Sequence, residues 1–200
     1  MISHKHKFIF VHIPKCAGTS IESIYNVWDD KKSEEKFYVG KHRQHHYLDM
    51  VLKNNPGCES YYKFTFVRNP YSRILSEYMY IKKTMNNGVH FASKQGFNLT
   101  FKDFCLDLTA NMNKYCYPYH DTKLVDYFTG ANFDFVGRME NIHDDYKTIC
   151  SNVGMPHRNV PCVNETRHKH YTEYYDDDTR KIIDKHYMED TKYFGYEFGT

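Results

Sequence analysis

Short apolar runs rich in Phe, Val and Ile alternate with segments of helical periodicity along the 200-residue chain, and this succession predicts an α/β domain. Two further observations sharpen the expectation to a mostly parallel central sheet with helices on both faces. The apolar run at 7–13, KFIFVHI, passes directly into a loop of small, polar and basic residues, HIPKCAGTS at 12–20. The same order of strand, polar loop and helix returns at 61–83, where YYKFTFV is followed by RNP and then YSRILSEYMYIKK.

The first run reads as a buried strand because it is short, β-branched and aromatic. A helix follows, with Thr19 or Ser20 expected as N-cap, Glu22 in the first turn, and Ile21, Ile24 and Tyr25 at helical spacing. The charge-mixed stretch at 29–36 is an exposed connection. In the second helix Ile74, Tyr78 and Ile81 share a face, and Pro70 stands where a helix can begin. Residues 86–98 read as a loop and FKDFCLDL at 101–108 as a short helix. NFDFVGRMEN at 132–141 reads as a third strand leading to the helix DDYKTICSNVG, which Gly154 and Pro156 terminate. The tail at 172–193 has one helical pattern, with Tyr175, Ile182, Ile183 and Tyr187 apolar. Neither a repeat nor a linker interrupts the chain, so residues 1–200 are expected to form a single domain.

Composition excludes several functional classes. The formal charge is +2, which gives no global attraction to nucleic acid or an acidic membrane, so nucleic acid is not an expected partner. No apolar stretch approaches the ~18 residues of a membrane span. The chain as written is therefore expected to be soluble and cytoplasmic, with the Golgi lumen its place only if an N-terminal anchor has been removed. The six cysteines, at 16, 58, 105, 116, 150 and 162, follow no zinc-ligand rhythm and are expected as reduced thiols.

In open parallel sheets ligands bind beyond the carboxyl ends of the strands, where both unusual loops lie. PKCAGTS offers backbone N–H groups, the positive end of a helix, two hydroxyls and the ammonium of Lys15, the chemistry of a phosphate cradle. It is not GxxxxGK[ST], because Lys15 precedes Thr19 by four positions. The second loop supplies Arg68 at a strand end, then Ser72, Arg73 and Ser76, suited to a separate phosphate dianion. Two such cradles fit a nucleotide with phosphates at both ends of its ribose.

FIFVHIPKCAGTS resembles the 5′-phosphosulfate loop, and FTFVRNPYSRILSEY the 3′-phosphate motif, of sulfotransferases that use 3′-phosphoadenosine 5′-phosphosulfate (PAPS). More narrowly, they resemble the carbohydrate enzymes related to heparan sulfate 2-O-sulfotransferase and the chondroitin and dermatan sulfotransferases. FDFVGRMENIHDDY, PHRNV and DTRKIIDKHYMEDTKYFGYEF extend the likeness over nearly the whole chain. The resemblance implies a three-layer P-loop-like fold, PAPS as donor, adenosine 3′,5′-bisphosphate as product and no metal requirement. Lys15 would contact the 5′-phosphate and the bridging oxygen. Cys16, which stands where the family usually has Thr, would join Ala17, Gly18, Thr19 and Ser20 on that phosphate through backbone and hydroxyls. Arg68 and Ser76 would hold the 3′-phosphate, and Arg167 and Lys169 in the basic segment NETRHKHY would face the nucleotide.

A sugar hydroxyl near pH 7 needs a base, and histidine is the side chain with a matching pKa. GKHRQHHYLDM at 40–50 supplies His42, His45 and His46. His42 follows Lys41 as in the family's Lys-His segment and is the first expectation, with His45 next. The HxxHH spacing also suits metal ligation, but no neighbouring carboxylate or Cys completes a set. A carbohydrate or another hydroxyl compound is the expected acceptor, and the oligomeric state is not encoded in these patterns. A P-loop-like nucleotide kinase and a non-catalytic nucleotide- or polyanion-binding module are the alternatives.

Overall fold

The computed structural model describes residues 1–27, 45–88, 97–110, 116–163, 166 and 168–200. Their contacts group into two compact units, Met1–Arg68 with Asp126–Glu165, and Asn69–Val125 with Thr166–Thr200.

The first unit carries the sheet. Its strands are β1 (Ile2–Ser3), β2 (Phe8–Val11), β3 (Tyr62–Val67) and β4 (Phe135–Arg138), in the spatial order β1-β2-β3-β4. β2–β3 and β3–β4 pair in parallel and β1 lies antiparallel on β2, so the molecule is α/β with a mostly parallel sheet, as the alternating pattern predicts. The two-residue β1 is too short to leave a periodic signal. All four residues of β2 are buried, as is Phe64–Val67 of β3, which is why both read as continuous apolar runs rather than alternating ones. Phe10 faces its register partner Phe64 with ring centroids 5.1 Å apart. β4 carries Gly137 opposite Phe66, where a Cβ would fall 2.5 Å from the Phe66 ring.

Among the described residues the first unit also holds the helices α1 (Gly18–Ile24), α2 (Leu48–Asn54) and α5 (Ile142–Asn152). α1 starts earlier than expected, with Ala17 in the N-cap position and no side-chain cap, so neither Thr19 nor Ser20 caps it. The reason lies in the backbone. Lys15 and Ala17 both adopt left-handed conformations, φ 64° and 62°, and turn the chain into the helix before the hydroxyl residues arrive. α2 follows the histidine-rich stretch, whose clustered polar side chains conceal the helical register of LDMVLKN. A 3₁₀ turn, Met139–Asn141, joins β4 to α5. The exposed connection read at 29–36 lies outside the described residues.

The second unit is helical. α3 (Pro70–Asn86) starts on Asn69, whose side chain accepts from the Tyr71 N–H, with Pro70 at the first helical position where its missing N–H costs nothing. Ile74, Leu75, Tyr78 and Ile81 form its buried face and pack with Phe101, Phe104 and Leu108 of α4 (Phe101–Thr109) and with Ile183 of α6 (Asp177–His186). The tail is not one helix. A 3₁₀ turn at Tyr171–Tyr174, α6, and α7 (Met188–Phe194) divide it, with the break at Tyr187. Tyr187 is fully buried and donates its hydroxyl proton to the Asp121 carbonyl, and Asp190 turns inward to accept from the backbone N–H of Leu124 and Val125. Those tertiary hydrogen bonds outweigh the local helical pattern.

Candidate functional site

In the first unit β2 ends at Val11, and the next six residues form the loop that the small-residue run predicts. Its inner wall is His12. The Nδ1–H of His12 donates to Glu22 Oε1 at 2.9 Å, and both side chains are buried, at 6% and 0% exposure. A carboxylate accepts only, so the proton sits on Nδ1 and the ring turns its Cδ2–Nε2 edge to Gly18. A Cβ on Gly18 would lie 1.9 Å from Cδ2 and 2.2 Å from Nε2, so no other residue fits there without moving the ring.

The loop then folds on itself. The Cys16 N–H donates to the Ile13 carbonyl at 3.3 Å, and the Ser20 N–H to the Ala17 carbonyl at 3.0 Å. Cys16 is buried, with its thiol hydrogen-bonded to the Pro14 carbonyl. Ala17, Gly18 and Thr19 span the N-cap and first helical positions, whose N–H groups have no partner within a helix. Ser20 Oγ accepts from the Val163 N–H at 3.2 Å and ties the helix start to the 156–163 segment.

Parallel pairing of β2 with β3 brings the second motif alongside. Val11 pairs with Thr65, and the Thr65 hydroxyl donates to the Val11 carbonyl at 2.8 Å. Three residues on, Arg68 donates from Nη1 to the Lys15 carbonyl at 3.3 Å. Lys15 and Arg68 are 53 positions apart in sequence, and the sheet places them at one loop. Both are half-buried.

His45 joins the same loop. It has a left-handed backbone, φ 67°, and its Nδ1–H donates to the His12 carbonyl at 3.0 Å. The carbonyl can only accept, so in the neutral ring the basic lone pair is on Nε2. The rings of His12 and His45 meet edge to face, with centroids 4.6 Å apart. The His45 carbonyl in turn accepts from the Tyr127 hydroxyl at 3.3 Å.

His42 and Arg167 lie outside the described residues. Ser76 is half-buried on α3 and Lys169 exposed, both in the second unit, and Lys169 pairs with Glu173 one turn on, Nζ to Oε2 3.0 Å. Arg73 is buried in that unit and donates to the His120 carbonyl, while His120 gives its Nδ1–H to Glu77 at 2.8 Å. Among the described residues no group of His, Cys, Asp and Glu is placed to hold a metal ion, no helix is long and apolar enough to cross a membrane, and the cysteines are free thiols.

A glycine-bearing loop at the end of a parallel strand, with an arginine drawn onto it from the next strand, marks the sheet unit of this α/β molecule. The chain belongs to the sulfotransferase family, whose sequence model matches residues 1–197. It is similar to carbohydrate sulfotransferase 14 of Danio rerio, 22% identical over 232 aligned residues that take in 98% of this chain. The chain spans 61% of the length of that relative. An uncharacterized protein of Archaeoglobus fulgidus is 26% identical over 140 residues, 66% of this chain and 97% of its own. No solved structure gives a significant match.

The Glu22–His12 pair was not foreseen from sequence. The signal was a histidine closing an all-apolar strand and an acid between Ile21 and Ile24 on the apolar side of the following helix. Ten positions separate the two residues, and only the loop's closure makes them neighbours.

Proposed function

We propose that the protein transfers the sulfuryl group of PAPS to a hydroxyl of a carbohydrate acceptor. Membership of the sulfotransferase family supports sulfuryl transfer, and the name of the Danio rerio relative supports a sugar as acceptor. The observation that carries the assignment of residues is the Arg68–Lys15 contact, which joins the two phosphate motifs at one loop.

In this reading Lys15 and the N–H groups of Ala17, Gly18 and Thr19 bind the 5′-phosphosulfate end of the donor. Ser20 braces the loop and Cys16 closes it. Arg68 takes the 3′-phosphate, the group that separates PAPS from ATP. Ser76, Arg167 and Lys169 enter through the sequence resemblance alone. The acceptor oxygen attacks sulfur in line as the bond from sulfur to the bridging phosphate oxygen breaks. The acceptor proton passes to a histidine, and Lys15 neutralises the charge growing on the departing phosphate. His45 is the better supported base because its Nδ1 is committed to a carbonyl and its lone pair is therefore on Nε2. His42 is tested beside it.

The experiment is transfer of radiolabelled sulfate from PAPS to a panel of oligosaccharides. His45→Ala is expected to lower kcat by about 10²–10⁴-fold while leaving adenosine 3′,5′-bisphosphate binding intact. Full turnover in His45→Ala with loss in His42→Ala would move the base by three positions and leave the reaction standing. No transfer from PAPS to any acceptor would refute the reaction.

A further inference from the structure

We infer that the cleft beside His45 is the acceptor subsite, and that it takes a sugar ring bearing neither carboxylate nor sulfate. This inference rests on the sulfotransfer reading above and adds the class of acceptor to it. The cleft holds about 250 Å³ and is lined by Tyr47, Asp49, Asp126, Tyr127 and Thr129, with apolar walls from α2. That volume is below the roughly 300–1,000 Å³ of pockets for drug-sized ligands and suits about one pyranose ring.

Its position follows from His45. Tyr127 donates to the His45 carbonyl, and Tyr47 is two residues further along, no more than about 7 Å even in an extended chain. The cleft therefore adjoins the segment that carries the histidine, which is itself bonded to the His12 carbonyl in the loop after β2. The half-buried Tyr47 ring packs on the buried Tyr127 ring at 4.7 Å and 34°, which fixes Tyr47 as the aromatic surface on which the C–H face of a pyranose can lie.

The charge of the lining selects the ring. Asp49 and Asp126 both line the cleft, and none of its described lining residues is Lys, Arg or His. Ionised carboxylates accept hydrogen bonds and donate none, so they match sugar hydroxyls and amides and repel uronate or sulfate groups. Asp49 spends one oxygen on the Met50 N–H at 2.7 Å, and a carboxylate has further lone pairs to offer. A ring flanked by anionic neighbours can still enter if it is itself uncharged.

The test uses the full chain and calorimetric binding of neutral tetrasaccharides of N-acetylglucosamine and of galactose against a heparin-derived tetrasaccharide. At least one neutral sugar is expected to bind more than about tenfold tighter than the heparin fragment, with Asp126→Lys cutting that ratio by about tenfold and Tyr47→Ala weakening the neutral sugar by a similar factor. Adenosine 3′,5′-bisphosphate affinity is expected unchanged in both variants, which shows them folded. Equal or tighter binding of the heparin fragment, no binding of any neutral sugar, or a ratio indifferent to both substitutions overturns the inference. PAPS transfer assays on the same proteins separate the two claims. Neutral-sugar binding that responds to the variants without sulfate transfer keeps the subsite and refutes the reaction; transfer indifferent to both variants does the reverse.

Discussion

Gly18 is where one atom decides the shape of the loop after β2. Adding a Cβ forces the buried His12 ring away from Glu22 or shifts the start of α1, because the approach is 1.9 Å. Overpacking of this kind costs about 1–3 kcal/mol, so Gly18→Ala is expected to weaken adenosine 3′,5′-bisphosphate binding by about tenfold or more in calorimetry. Arg68→Ala removes charge-assisted hydrogen bonds worth about 1.5–3 kcal/mol and is expected to weaken the same ligand by about 10–100-fold. An unchanged Kd for either variant contradicts the loop assignment. At this scale the sequence was informative where chemistry is written in consecutive letters: Lys15, Gly18 and Arg68 stand out by type and spacing. His12 with Glu22 did not, since their pairing depends on a loop closing over ten residues. Nor did the commitment of the Cys16 N–H to Ile13, since a residue's letter does not say where its backbone donor points.

Elements were legible in proportion to their length and the clarity of their caps. α3 and α4 are legible nearly to their ends because their apolar residues recur at helical spacing and Pro70 marks the start of α3; the caps at Asn69 and Thr100 emerge only in the structure. Thr100 and Asp103 complete a capping box, and Thr100→Ala is expected to cost about 1 kcal/mol, read as a lower midpoint in urea unfolding. The tail was misread because its apolar residues keep a helical rhythm across Tyr187, while the turn at that residue is set by hydrogen bonds to distant backbone. α6 carries its own cap. Backbone and side-chain hydrogen bonds from Thr179 hold the Asp176 carboxyl below the ordinary carboxylate range. The folded value lies under the unfolded one, so this contribution is present above the unfolded value and is lost as pH falls through the folded value. Asp176→Asn is expected to make stability less sensitive to acid between about pH 5 and pH 2, measured by urea unfolding at successive pH values.

For the whole molecule, the α/β class and parallel sheet were evident from the alternation of element types, whereas the division into two units was not. Each unit is assembled from two separated stretches, so no single cut of the chain releases either one complete. We therefore expect one cooperative thermal transition by calorimetry, and two resolved transitions would show that the units fold apart. The sheet unit holds the loop, Lys15, Arg68 and His45, and its parallel pairing brings together two motifs far apart in sequence, which the proposed function assigns to the two ends of the donor.

Ligand choice in the presence of EDTA tests that site most directly. Calorimetric titration should give tight binding of adenosine 3′,5′-bisphosphate without metal, at least about a hundredfold tighter than ATP, and loss of that preference in Arg68→Ala. Equal affinity for ATP, or binding that appears only when Mg²⁺ is restored, would contradict a donor held by phosphates at both ends.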